Sequence, residues 1–162
     1  MAFLSKVKAI DVAQYILNCF HKKGQAITTL KLQKLVYYVQ AWSLVWDDAP
    51  IFDEDFEAWV NGPVVRSLFY ALKGDYYCPS IINGADSNLL SENQKDTINH
   101  VLESYGDLTS VDLVYTTHQE RPWQQARAGL PDNAVCNNII TKQSMLDFYS
   151  EQYQAILKNA QV

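Results

Sequence analysis

The chain has 162 residues, of which 48% are hydrophobic and 19% charged, and this composition is typical of one folded domain rather than a disordered segment. Its net charge of −5 argues against a protein that binds nucleic acid by neutralising phosphates. The three cysteines are far apart and the N-terminus lacks an apolar export segment, so we expect reduced thiols and a cytoplasmic protein.

The first predicted helix begins at Asp11. Asp11 followed by Gln14 has the spacing of a capping box, and a basic turn before Gly24 is typical of a helix end. Between these ends, apolar residues recur on one face: Val12, Ala13, Ile16, Leu17 and Phe20.

A second, central helix is predicted over residues 28–46, capped by Thr28 or Thr29. One face carries an apolar stripe, and most of the opposite face is apolar as well, which is typical of a helix buried in the middle of a domain. The residues expected in the core are Leu32, Leu35, Val36, Val39 and Trp46. The residues expected to show function are Lys31, Gln33, Lys34, Tyr37 and Tyr38.

After the central helix, residues 51–60 alternate between apolar and polar side chains, which predicts a short strand. Asp53, Asp55 and Glu57 share one face with Trp59. Pro63 is expected to be the first residue of a third helix, and a second short strand is predicted over residues 76–82.

Four further helix starts are indicated in the second half of the chain. They are a capping box at Ser91, a cap at Thr109 or Ser110, a restart at Pro122 and a cap at Thr141. The last helix should turn these residues inward: Met145, Leu146, Phe148, Tyr149, Tyr153, Ile156 and Leu157. The predicted fold is mainly α, a single compact domain of six or seven helices around a buried central helix, with one or two short strands near 51–60 and 76–82.

No catalytic, cofactor or metal motif is present in the sequence. The acidic residues 53–57 lack the ligand spacing of a calcium loop. His118 could bond a free backbone carbonyl where a helix breaks, or it could face a groove. Lys34 could form a structural ion pair or extend along apolar surface to water, or it could present a cation in a groove. We therefore predict a protein that is not an enzyme.

Several short motifs in order resemble one known family. They are T-x-L-K-L-Q-K-L-x-Y-Y from Thr28 or Thr29, then E-A-W at residues 57–59 and G-P-V-V at 62–65, and later Y-G at 105–106 and H-x-E-x-P-W at 118–123. This pattern is similar to the Panacea domain, the SocA-like antitoxin domain of a phage-associated protein family, over about residues 10–149. The resemblance implies a helical domain that neutralises a partner toxin by protein–protein contact, without catalytic residues. We expect residues 1–162 to be a single Panacea domain with no additional DNA-binding domain.

The partner expected from this resemblance is a toxin encoded by an adjacent gene, without membrane or direct nucleic-acid binding. Large aromatic anchors and an acidic segment facing a basic toxin surface would suit such contact. The candidate interface residues are Lys34, Tyr37, Tyr38, Asp53, Asp55, Glu57, Trp59, His118 and Trp123. For Trp59 and Trp123, a core position is the alternative. The alternative functions are a regulatory adaptor that delivers a bound protein to a protease, and an enzyme using a groove near His118 and Lys34.

Overall fold

Helices dominate residues 6–160, which are the residues that the computed structural model describes. The helices are α1 Ala9–Lys22, α2 Thr29–Trp46, α3 Arg66–Ala71, α4 Glu92–Tyr105, α5 Ser110–His118, α6 Arg121–Ala126 and α7 Lys142–Ala160. The strands are β1 Phe56–Trp59, β2 Gly62–Val64 and β3 Ile139–Ile140, and one 3₁₀ turn spans Ser87–Leu89. The predicted mainly α fold with about seven helices is confirmed.

Helix α2 is the centre of the core, as predicted. All its residues from Leu32 to Leu44 are buried, and α1, α4, α5, α7 and β2 pack around it. The helix begins after Thr28, whose hydroxyl accepts a hydrogen bond of 3.1 Å from the Lys31 backbone N–H. Trp46 was expected in the core, but this is wrong: its side chain is 37% exposed. The last turn of α2 lies at the surface, where the Trp46 ring stacks on Trp42 and borders a cleft.

Helix α1 begins two residues earlier than predicted. Asp11 is the third residue of the helix and not its cap, and its carboxylate accepts a hydrogen bond of 2.8 Å from the Lys8 backbone N–H. The same carboxylate accepts from the backbone N–H of Asp86, 75 residues later. Asp11 therefore stabilises the helix start through the first turn and also holds a distant loop.

The three strands form an antiparallel sheet in the order β2-β1-β3. Residues 60 and 61 connect β1 to β2 as a tight hairpin, in which Gly62 has φ +102°. The prediction that Pro63 begins a helix is wrong, because Pro63 lies in β2 and α3 begins at Arg66. Proline is compatible with this position since β2 is an edge strand.

The predicted strand within 51–60 is confirmed at Phe56–Trp59, but residues 76–82 form no strand. Their single ladder contact is an isolated bridge between Thr28 and Tyr77. The third strand is β3 instead, whose Ile140 pairs with Phe56. Two residues are too few to produce a recognisable alternation in a sequence.

The predicted caps of the later helices are confirmed. Ser91 and Thr109 each form a capping box, and Thr141 accepts a hydrogen bond from the Ser144 backbone N–H. In α7, Met145 and Tyr149 are buried, whereas residues 154–160 are exposed, so the inward prediction for Ile156 and Leu157 is wrong. Within residues 6–160, no helix is both long and apolar enough to cross a membrane.

Candidate functional site

The polar residues at the head of α2 bind the backbone of the β1–β2 hairpin and its continuation. The Gln33 side chain exchanges two hydrogen bonds of 3.1 Å with the backbone N–H and carbonyl of Val65. The Lys34 ammonium donates to the Pro63 carbonyl at 2.8 Å. Two groups of motif residues that are about 30 positions apart in the sequence are therefore bonded to each other.

Lys34 is completely buried, so it neither reaches water nor presents a cation on the surface. Among the described residues it has no carboxylate partner in an ion pair, and burial lowers its pKa to about 7. A Cβ at Gly62 would lie 2.6 Å from the Lys34 Cε atom and 2.9 Å from the Thr117 hydroxyl oxygen. The Lys34 side chain thus occupies space next to residue 62 that is open because Gly62 has no Cβ.

Tyr37 and Tyr38 lie in a buried cluster around the Glu120 carboxylate. Tyr38 donates to Glu120 Oε1 at 2.6 Å, and Tyr149 donates to the same oxygen at 2.9 Å. Burial raises the pKa of Glu120, while these two hydrogen bonds lower it. The Tyr38 ring also stacks on Tyr105 with 4.0 Å between centroids. Both predicted tyrosines therefore connect α2 to other helices and have almost no exposed surface.

His118 and Trp123 stack on each other, with 4.0 Å between ring centroids and planes 17° apart. Trp123 is buried, and its indole N–H donates to the Trp59 carbonyl at 2.8 Å. His118 is half-buried; burial lowers its pKa, and a hydrogen bond with the Val60 backbone acts in the opposite direction. His118 thus contacts both α6 and the hairpin backbone, in line with the alternative of a backbone bond, and Trp123 takes the core alternative.

Arg127 is a buried residue that the sequence analysis missed. Its guanidinium lies 4.7 Å from the Trp123 ring centre and donates to the carbonyls of Ala58 at 2.8 Å and Pro131 at 2.9 Å. An arginine just before a glycine–proline loop has the pattern of an exposed residue, so the sequence contained no indication of this role.

The acidic segment is connected to the rest of the domain by specific contacts. Asp55 pairs with Lys142 at 2.8 Å, and Glu57 pairs with Arg66 at 2.5 Å. Glu54 accepts hydrogen bonds from the α1 backbone and from the Ser67 hydroxyl. The segment therefore joins α1, α3 and α7, and Asp53 at its start is exposed.

An open groove of about 560 Å³ lies between the head of α2, the hairpin, α3 and residues 135–137. Its wall is largely apolar, and Trp59 contacts Phe69 edge-to-face at 4.9 Å. The Arg66 guanidinium lies 5.7 Å from the Trp59 ring centre, and Glu57 binds both the Arg66 side chain and the Trp59 indole N–H. Val135 is 91% exposed at one edge.

Of the nine candidate interface residues, Trp59 lines this groove and Glu57 supports it. Lys34, Tyr37, Tyr38 and Trp123 are buried and lie outside any accessible surface. The roles of Phe69 and Arg66 in α3 were not anticipated, because no candidate interface residue was predicted in the third helix.

Comparison with known proteins places the sequence motifs in a family. The family model described as Antitoxin SocA-like, Panacea domain matches residues 32–124, which is more than half of the chain. A search of curated proteins and a search of solved structures each return no match. The matched range runs from α2 into α6 and contains the hairpin, the His118–Trp123 stack and the Glu120 cluster apart from Tyr149.

Proposed function

Because the chain belongs to the SocA-like antitoxin family of Panacea domains, we propose that it is an antitoxin that neutralises a partner toxin by direct contact. The proposal extends to residues 1–162 as a single Panacea domain acting in the cytoplasm. The partner is a protein encoded by an adjacent gene.

The groove beside Trp59 is the surface that suits this contact, and its composition is the observation that supports the proposal. Tryptophan and arginine are enriched among residues that contribute most to protein–protein binding. Glu57 holds Trp59 and Arg66 in place before any partner arrives, which lowers the entropy lost on binding. The groove therefore offers a prearranged aromatic anchor.

The polar residues that an enzyme could have used are engaged in contacts inside the fold. This agrees with a protein that binds its partner without catalysing a reaction. Lys34 donates to a backbone carbonyl, and Glu120 accepts from two tyrosines. His118 stacks on a buried indole. Each of these groups is engaged inside the fold: Lys34 and Glu120 join α2 to the hairpin and to later helices, and His118 joins α5 to α6.

The experiment is expression of the adjacent gene product with and without this chain. We expect growth arrest with the neighbour alone and normal growth when both are produced. Trp59→Ala should lose the rescue while its circular dichroism spectrum stays that of the wild type. Tyr115→Ala is the matched control, because Tyr115 is an exposed aromatic residue outside the groove.

Two results would contradict parts of the proposal separately. A neighbour that is harmless alone would remove the antitoxin function, and full rescue by folded Trp59→Ala would remove the groove as the contact. An immunoblot of the toxin distinguishes sequestration from the adaptor alternative. Sequestration leaves the toxin level unchanged, whereas delivery to a protease lowers it.

A further inference from the structure

A second cleft, of about 640 Å³, lies at the C-terminal end of α2, between α4 and α7. It shares no lining residue with the groove beside Trp59. We call it the Trp46 cleft, after the exposed indole that borders it. None of the motif residues quoted in the sequence analysis lines this cleft.

Three aromatic rings line the Trp46 cleft. The Trp46 ring stacks on Trp42 beneath the surface, with 5.0 Å between centroids and planes 26° apart. His100 lies edge-to-face against Trp46 at 6.2 Å, and Tyr153 of α7 also lines the cleft. An indole that is held by stacking yet 37% exposed presents π-surface at a fixed position.

Apart from His100, whose Nδ1 lies 3.6 Å from Glu103 Oε2, the charged residues of the Trp46 cleft are all acidic. They are Asp47, Asp96 and Glu103, and no lysine or arginine is among the described lining residues. Asp47 is held by hydrogen bonds from Asn93 and Thr97, so its position is defined. Asp96 is exposed and forms no ion pair within residues 6–160.

An aromatic face surrounded by carboxylates attracts a cation through two effects. The ring quadrupole attracts a guanidinium or ammonium placed over it, and the carboxylates add Coulomb attraction from the sides. The acidic segment 53–57 is largely occupied by contacts with other helices, so this cleft is a more available acidic surface.

We propose that the Trp46 cleft binds an arginine or lysine side chain in a basic segment of a protein partner. The cation lies over the Trp46 indole, with Asp96 and Glu103 beside it. The inference relies on the proposed function only in assigning the basic segment to the same partner protein.

The test measures binding of a fluorescein-labelled peptide of alternating glycine and arginine to the purified chain, by fluorescence anisotropy at low salt. The control peptide has citrulline, which is neutral and of similar shape, in place of arginine. We expect binding of the arginine peptide alone. Trp46→Leu should weaken it by about fivefold or more, and Asp96→Asn by about threefold.

The matched control is Glu92→Gln, which removes one negative charge from α4 outside the cleft. It should change the affinity by less than Asp96→Asn does. Because Asp96 is exposed, its variant keeps the test valid if Trp46→Leu fails to fold. The assay contains no toxin, so its result is independent of the co-expression experiment.

Three results would overturn the inference. They are equal binding of the arginine and citrulline peptides, equal effects of Asp96→Asn and Glu92→Gln, and no binding of the arginine peptide. A fourth result, displacement of the peptide by spermidine at an equal concentration, would also overturn it, since the cleft would then be a site for small polyamines.

Discussion

Replacement of Lys34 by methionine should stabilise the protein at neutral pH and lose that advantage as the pH rises. Lys34 is fully buried, and burial lowers its pKa from 10.5 to about 7. The unfolded chain therefore binds a proton at this residue more tightly than the folded chain does. The resulting cost to stability is fully present below pH 7, falls as the pH rises and disappears above 10.5.

The size of this cost to stability follows from the pKa shift of Lys34. Each pKa unit corresponds to about 1.4 kcal/mol, so the cost is about 4 kcal/mol at pH 7 and about 1 kcal/mol at pH 10. Methionine has a similar volume and removes this cost, but it leaves the Pro63 carbonyl without its donor, a loss of about 1–3 kcal/mol. The variant should be more stable by about 1–3 kcal/mol at pH 7, and equal or less stable at pH 10.

The assay is urea unfolding of both proteins at pH 7, 8, 9 and 10, followed by circular dichroism. Titrating groups that do not interact with Lys34 contribute equally to both proteins and cancel in the difference. Lys158→Met, at an exposed position in α7, is the control and should show a difference that does not vary with pH. A Lys34→Met difference that is constant or grows between pH 7 and 10 would refute the reasoning.

Two further substitutions test how the hairpin is held. Gly62→Ala should lower the free energy of unfolding by about 2 kcal/mol or more, because φ is +102° and the new Cβ would meet the Lys34 chain. Gly74→Ala, at φ +92° with nothing within 4 Å, should cost less, and equal losses in urea unfolding would contradict the close contact. Arg127→Lys should cost about 3 kcal/mol, because one ammonium cannot replace a guanidinium that donates to several backbone carbonyls. Arg121→Lys, in an exposed ion pair, should stay within about 0.5 kcal/mol, and a similar loss in both arginine variants would argue against the role of Arg127.

Helix starts that have a serine or threonine cap were the most predictable feature of this fold. Thr28, Ser91, Thr109 and Thr141 were each assigned as caps or alternatives, and each accepts a hydrogen bond from the backbone three residues later. A cap acts over a single turn, so four consecutive residues contain the necessary information. Pro63 shows the limit, because proline suits both a helix start and an edge strand, and the local sequence does not choose between them.

The candidate interface was less predictable than the helices. Tyr38 and Trp123 carry both polar atoms and large apolar surfaces, which suit a core and an interface equally. Their hydrogen-bond partners are far away in the sequence: Glu120 for Tyr38 and the Trp59 carbonyl for Trp123. The groove also depends on Phe69, which reaches Trp59 only after the hairpin and α3 have packed.

The sequence by itself determined that α2 is buried on nearly all sides and that the chain has the motifs of the Panacea family, since apolar periodicity and motif order are properties of the chain alone. The tertiary structure decided which motif residues face inward and which surface is left for a partner. Lys34 could have been exposed, paired or buried; the Pro63 carbonyl and the space at Gly62 determine that it is buried. Periodicity indicates which face of a helix is apolar. The hydrogen-bond partners of Lys34 and Tyr38 lie 29 and 82 positions away in the sequence, so only the tertiary structure determines them.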